Sequence, residues 1–264
     1  MIKLKNETEI ALLREGGRRL ASVLGQVAKA VKPGLTSREL DALASKLISD
    51  LGDKPSFLRY QPAGASAPYP ASLCVSINEE VVHGVPSDRQ LEVGDVVSLD
   101  LGLNHGGLFT DLAVTVLVIG ENVRSQTSNI SDVVKLKLIN ATKEALAAGI
   151  KSARPGNTLG DIGAAIEAVA KRNGLGVVRD LGGHGVGKKV HEEPVIANYG
   201  KKGTGLKLKA GMVLALEPMF TLGADEVNFM PDGYTVTTAD GSLAAHFEHT
   251  IVITERGAEI LTKE

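Results

Sequence analysis

The chain has a single cysteine, Cys74, in 264 residues. One thiol excludes an intrachain disulfide, and without a Cys-x-x-Cys pair a structural zinc finger is excluded as well. No apolar run approaches the roughly 18 residues that a membrane span requires. The opening Met1-Ile-Lys-Leu-Lys-Asn-Glu7 lacks the apolar stretch of a secretory signal, so no membrane partner is expected and the cytoplasm is the expected compartment. An excess of charge of either sign is also missing. Lys and Arg number 29, Asp and Glu 31, and the net charge is −2. That balance, with a pI near 6.3, argues against a nucleic-acid binder. What is present is 43% hydrophobic and 23% charged residues, the composition of a globular protein with a substantial core.

Within that composition, two stretches are nearly the same sentence. Leu91-Glu-Val-Gly-Asp-Val-Val-Ser-Leu-Asp100 matches Leu208-Lys-Ala-Gly-Met-Val-Leu-Ala-Leu-Glu217. In both, Leu-x-x-Gly opens an apolar run that closes on an acid, and a buried carboxylate is costly unless a cation neutralises it. The likeness extends upstream. Pro33-Gly-Leu-Thr-Ser-Arg-Glu39 matches Pro155-Gly-Asn-Thr-Leu-Gly-Asp161. Each is a turn leading into a capping box, Thr36 with Glu39 and Thr158 with Asp161. Helical spacing follows through Leu40, Leu43 and Leu47, and through Ile162, Ile166 and Val169, up to Gly52 and Gly174.

Longer helices are expected over 8–31 and 131–150, and strands over 72–77, 95–103, 109–119, 212–218, 233–237 and 246–254. Helices followed by hairpin strands in each half read as α+β, with helices on one face of an antiparallel sheet. The expectation is one domain, 1–264, built by duplication from halves of about 1–120 and 130–264. They join in the polar stretch 120–129 and share one sheet, with a cleft at the pseudo-twofold.

The Gly-rich turn between Asp100 and Asp111 folds the second acid back beside the first. Glu248 enters a β-branched run as Asp111 does, so the acids pair as Asp100 with Glu217 and Asp111 with Glu248. Four converging carboxylates repel one another and raise their own pKa values; two divalent cations remove the problem. Taken singly, each acid also reads as a solvated strand end. Gly182-Gly-His184-Gly-Val-Gly187 is a glycine-dense loop around an imidazole. An oxygen-rich site with one histidine suits Mn, Fe, Co or Zn better than Ca. The loop lacks the phosphate-loop pattern, so a nucleotide site is not expected. His191 and His83 each precede a carboxylate strand and read as cleft residues or as ordinary loop histidines. Alternation turns His249 away from Glu248, and His105 and His246 read as surface or packing residues.

The segments 72–86, Gly182-Gly-His-Gly-Val-Gly187, His191-Glu-Glu-Pro194, Glu217-Pro-Met219 and Phe247-Glu-His-Thr250 together resemble the motif set of methionine aminopeptidases, from about Glu9 to Leu261. The resemblance implies the pita-bread fold, an internally duplicated curved antiparallel sheet flanked by helices. It implies two divalent metal ions held by Asp100, Asp111, His184, Glu217 and Glu248. Asp111 and Glu248 would bridge, Asp100 would serve one metal, and His184 and Glu217 the other. Glu217 would relay a proton, and His191 and His83 would contact the substrate around the scissile amide. Cys74, Tyr69 and Phe220 are candidates for a methionine pocket, although Cys74 and Phe220 read equally well as core. The short span from Glu217 to Glu248 implies the type I branch, and the lone cysteine agrees with the lack of a zinc-binding N-terminal region. The implied activity is removal of the initiator methionine from peptides and nascent chains with small second residues, by a monomer in transient contact with the ribosome. An Xaa-Pro aminopeptidase or prolidase on the same fold, and a non-catalytic binding protein of this fold, are the alternatives. Three features depart from the family pattern near the expected pocket: the segment 63–68, Val190, and Tyr234 where Trp is frequent.

Overall fold

The computed structural model describes residues 2–62, 64–120 and 130–264. Apart from Gly120, the expected join at 120–129 lies outside the described residues. The first half comprises α1 (Glu7–Ala30), α2 (Ser37–Asp50), β1 (Lys54–Pro55), β2 (Leu73–Ile77), β3 (Glu80–Val82), β4 (Val96–His105) and β5 (Leu108–Leu117). The second comprises α3 (Ile130–Ser152), α4 (Leu159–Asn173), β6 (Gly176–Val177), β7 (Gly182–Gly185), β8 (Glu192–Ala197) and β9 (Val213–Leu216). It continues with β10 (Met219–Thr221), β11 (Val227–Phe229), β12 (Val236–Thr238), β13 (Ala244–His246), β14 (Glu248–Thr254) and β15 (Gly257–Ile260).

The helices start where their capping residues require. The Glu39 carboxylate accepts the Thr36 backbone N–H at 2.8 Å, and Thr36 Oγ1 accepts the Glu39 N–H at 3.2 Å. In the second half the Asp161 carboxylate accepts the Thr158 backbone N–H at 2.8 Å. Loss of such a cap typically costs about 1 kcal/mol. Helix α4 stops on Gly174 in the left-handed region.

The duplication holds down to single hydrogen bonds. Thr36 bridges Gln90, and Thr158 bridges Lys207. The N–H of Gly34 donates to Leu91 O, and that of Gly156 to Leu208 O. Gly94, at φ +92°, donates to Val118 O, and Gly211, at φ +87°, donates to Ile253 O. The matched Leu-x-x-Gly stretches are therefore the same turn, tying a helix start to the entry of a buried strand.

Strands of both halves enter one nine-stranded antiparallel sheet in the order β1-β4-β5-β14-β9-β7-β8, with β2 added on β4 and β15 on β14. Two three-stranded sheets, β13-β10-β6 and β11-β12-β3, flank it. In β4, Val97, Leu99, Leu101 and Leu103 join the core formed with Leu20, Leu24 and Val27 of α1 and Leu40, Ala44 and Ile48 of α2. In the second half, Leu214, Leu216, Ile251 and Ile253 pack with Ile162 and Ile166 of α4 and Leu138 and Leu146 of α3. The opposite face carries Ser76, Ser98, Asp100, Asp111, Thr115 and Glu248, all buried. A strand buried on both faces reads in sequence as one apolar run, which hides this alternation.

Candidate metal centre

The turn Gly106-Gly107, both at positive φ, joins β4 to β5 with His105 opposite Leu108. Two residues at φ > 0 suit the tight hairpin turn, and the turn fixes the register. Gly102 therefore faces Asp111, and Asp100 faces Ala113. On the far side of Ala113 stands Glu248 of β14. A single row, Cys74–Asp100–Ala113–Glu248, crosses four strands on one face. The small Ala113 leaves space above the sheet between the acids. The Asp111 N–H donates to Thr250 Oγ1 at 2.9 Å, and Thr250 faces Ala215, which faces His184.

Asp100 lies in the middle of the ten-residue β4, inside the strand expected over 95–103 and not at the solvated strand end that was the alternative reading. Glu217 does stand at an end. Strand β9 stops at Leu216, Pro218 follows, and the chain passes into β10 in another sheet. The glycine-dense segment around His184 is a strand for Gly182–Gly185 rather than a loop. Its glycines permit backbone contact. A Cβ on Gly183 would stand 2.3 Å from Ala215 O, and one on Gly185 2.3 Å from Glu193 O.

Asp100, Asp111, His184, Glu217 and Glu248 line one cavity of about 740 Å³, together with His83, His191, Cys74 and Tyr69. Burial, with Asp111 and Glu217 nearby, holds Asp100 well above the usual carboxylate range. Glu248 is raised by burial and by Asp111, Glu217 and Asp100. Burial and Glu217 push Asp111 up to about 7, and burial pushes Glu217 up to about 8. Asp100 Oδ1 and Glu248 Oε1 are buried without a hydrogen-bond partner. Single ligand atoms of Asp111, His184 and Glu248 lie within 4.8 Å of one another. His184 Nδ1 lies 2.9 Å from Gly185 O. A proton on Nδ1 satisfies that carbonyl and leaves the Nε2 lone pair free toward the acids. Burial lowers the His184 pKa to about 3, which keeps the ring neutral. Unpaired buried carboxylate oxygens beside a neutral imidazole fit a divalent transition-metal cation.

The remaining histidines divide. His83 is held at φ +59° directly after β3, and burial lowers its pKa to about 4. His191 lies at the mouth of the cavity. Its ring is 4.4 Å from that of His184, and its Nδ1 is 2.8 Å from the Tyr60 hydroxyl. His249 faces the helix side, with Nδ1 2.9 Å from Thr262 Oγ1, as alternation requires. His105 pairs with Asp53 at 2.8 Å, away from the cavity. His246 is more than a packing residue. It is 1% exposed, its Nε2 lies 3.4 Å from Glu217 Oε2, and neither ring nitrogen makes an aligned hydrogen bond.

At the apolar end of the cavity, Tyr69, Cys74 and Val190 cluster with Phe57, with Tyr60 and Tyr234 packed against them. The Tyr69 and Tyr234 rings meet edge-on at 5.0 Å. The Tyr234 hydroxyl donates to Ala67 O and so ties down the segment preceding Tyr69. Phe220, expected in the pocket, is not there. It is fully buried in the second-half core, paired with Ala245 and Val177. The chain bends at Pro218, and alternation along β10 turns Met219 to the cavity and Phe220 away. Phe57, Tyr60 and Met219 escaped the sequence reading; Met219 was legible only as the last residue of Glu217-Pro-Met219.

A duplicated α+β fold with buried acids and a neutral histidine above its sheet defines a metallopeptidase, and residues 11–255 match the model of metallopeptidase family M24. The chain belongs to the methionine aminopeptidases of that family. It is 44% identical over 262 residues to the methionine aminopeptidase of Clostridium perfringens, covering 99% of each chain. The crystal structure of the Rickettsia prowazekii methionine aminopeptidase superposes with a TM-score of 0.91 at 38% identity, covering 99% of this chain and 100% of that one. The Pyrococcus horikoshii prolidase, at 23% identity and a TM-score of 0.71 over 63% of its own length, shares the fold alone. The pita-bread architecture is thus that of the family.

Proposed function

We propose that this chain removes the N-terminal methionine from peptides and nascent proteins whose second residue is small. The observation that carries the proposal is the convergence of Asp100, Asp111, His184, Glu217 and Glu248 beside an apolar pocket end in one cavity. These five would hold two divalent ions of the Co, Mn, Fe or Zn class. When bound, the ions supply Lewis acidity at the scissile carbonyl, activate water near neutral pH and hold the free α-amino group.

The chain's own residues supply the rest. Glu217 takes the proton from the attacking water and returns it to the leaving amine, from its place just past the end of β9 where it lines the cavity. His191 donates a hydrogen bond to the oxygen on which negative charge develops, and His83 holds the substrate amide. Tyr69 and Cys74 receive the thioether, where sulfur–aromatic contact is favourable. Burial keeps the Cys74 thiol well above its ordinary pKa, so it meets the methionine side chain uncharged. We further propose that the two halves form a single catalytic unit that works as a monomer, in the cytoplasm, where nascent chains emerge from the ribosome.

The test is methionine release from Met-Ala and Met-Gly peptides after chelation and re-addition of Mn, Fe or Co. Release is expected with at least one metal. No metal-dependent release with any of them would overturn the proposal. Faster cleavage of Ala-Pro than of Met-Ala would favour the prolidase reading instead.

A further inference from the structure

His191 sits on the short segment between β7 and β8, and that segment is gripped from a distant part of the chain. The neighbouring Glu192 accepts the backbone N–H of Lys188 at 2.5 Å and of Lys189 at 3.0 Å on one carboxylate oxygen. Its other oxygen meets Lys5 Nζ at 2.6 Å. Lys5 is 5% exposed, and the two partners are 187 positions apart in sequence. The Lys5 stem also packs on Gly187, where an added Cβ would stand 2.5 Å from Lys5 Cε. Gly187, at φ +139°, is where the segment turns out of β7.

The residue between Asn6 and Leu4 is itself anchored. The Lys5 backbone N–H donates to Gly211 O at 2.8 Å, and Gly211 is the turn that opens the run to Glu217. A second ion pair joins Lys188 Nζ to Glu9 at 2.6 Å, although Lys188 is 46% exposed. Exposed pairs of this kind contribute little. A shielded ammonium that contacts a carboxylate already holding two backbone donors fixes geometry much more firmly. One buried residue thus connects the turn that carries His191, through its side chain, to the turn that leads to Glu217, through its backbone.

We infer that Lys5 is a positioning residue for hydrolysis, acting through Glu192 to hold His191 at the reacting amide. The inference rests on the role proposed for His191. Displacing a catalytic group by about 1 Å costs on the order of 10²-fold in rate, so partial loss of the clamp, with the Glu192–backbone bonds remaining, should cost about 10-fold.

The experiment compares Lys5→Met, Lys5→Arg, His191→Ala and the double variant Lys5→Met/His191→Ala on Met-Ala peptides, with bound metal counted in each. Lys5→Met is expected to lower kcat about 10-fold with metal content unchanged, and Lys5→Arg to recover most of the loss. In the His191→Ala background, Lys5→Met should cost almost nothing further. Fully multiplicative losses in the double variant would overturn the inference, because Lys5 would then act independently of His191. Hydrogen exchange of the Lys188 and Lys189 amides supplies a readout without turnover. Lys5→Met should speed their exchange while β4 and β5 stay protected, and unchanged exchange would overturn the clamp. A wild-type protein that releases no methionine would instead sink the proposed function, leaving the clamp to be judged by exchange.

Discussion

The two halves bring acids to the same face by different means. In the first, Asp100 and Asp111 stand in the interior of two ten-residue strands joined by a two-glycine turn. Their short side chains are fixed by a continuous ladder of backbone hydrogen bonds. In the second, Glu217 stands where β9 breaks at a proline, and Glu248 is the first residue of β14, just after the chain has crossed from β13. The longer glutamates suit these corners, since extra reach compensates for backbones that leave the sheet. The corners also bring histidines that the first half has no match for: His184 from β7 and His246 from β13 both approach Glu217, at 3.5 Å and 3.4 Å. Duplication supplied a carboxylate frame, and divergence of one copy supplied the groups that polarise it.

This contrast can be broken experimentally. The largest effects should come from the acids. Asp111→Ala and Glu248→Ala should each lower kcat/KM by at least the order of 10²–10³ that losing one electrostatic contact to reacting groups costs, and should deplete bound metal. Glu217→Gln should lower kcat by about 10²-fold or more, as expected for lost proton transfer. If Glu217→Gln left kcat intact, the second half would have no special part in proton transfer. Next comes His246. Groups that orient a metal ligand typically contribute about 10–100-fold, so His246→Ala should lie in that range, and an activity unchanged within twofold would return it to a packing role.

A smaller effect compares the backbones. Gly183→Ala drives a methyl into Ala215 O, an overpacking of the kind that costs about 1–3 kcal/mol. Gly107→Ala meets no atom within 4 Å and should cost only the left-handed strain of about 1 kcal/mol. Denaturant midpoints of the two variants would rank them, and the reverse order would contradict the close approach of β7 to β9. Last is pH. In chelated protein, Asp111 and Glu217 titrate at about 7 and about 8, well above unfolded carboxylates. Their stabilising contribution is complete below about pH 4 and is lost as pH rises through those values. Above about pH 7.5 the buried histidines are neutral in both states, so the Tm of chelated protein should fall by about a few °C from about pH 7.5 to 9. A flat Tm over that window would mean that the acids are less coupled than their geometry indicates.

Much of this was legible because the same physics is written twice in the chain. Capping boxes and Leu-x-x-Gly turns recur in both halves because they follow from local chemistry, as does the Gly-Gly hairpin of the first half alone. The strand around His184 was not legible, because glycine disfavours strands and only the approach of a neighbouring backbone explains it. The sequence leaves Phe220 open between pocket and core, because Pro218 ends one strand and starts another, resetting the alternation. His246 and Lys5 look in sequence like any surface histidine or lysine. Their roles depend on partners brought in by the tertiary fold, in the case of Lys5 one 187 positions away.

The seam between the halves in the large sheet is narrow: β14 meets β5 through Glu248 opposite Ala113 and His249 opposite Leu112. The acids face one another only once that seam has closed, and its second-half strand runs to Thr254. A copy of this protein still being synthesised therefore has no assembled centre until nearly all of the present sequence has left the ribosome. Activity in this sense reports that β14 has docked on β5, and a chain cut short before β14 would be inert rather than partly active.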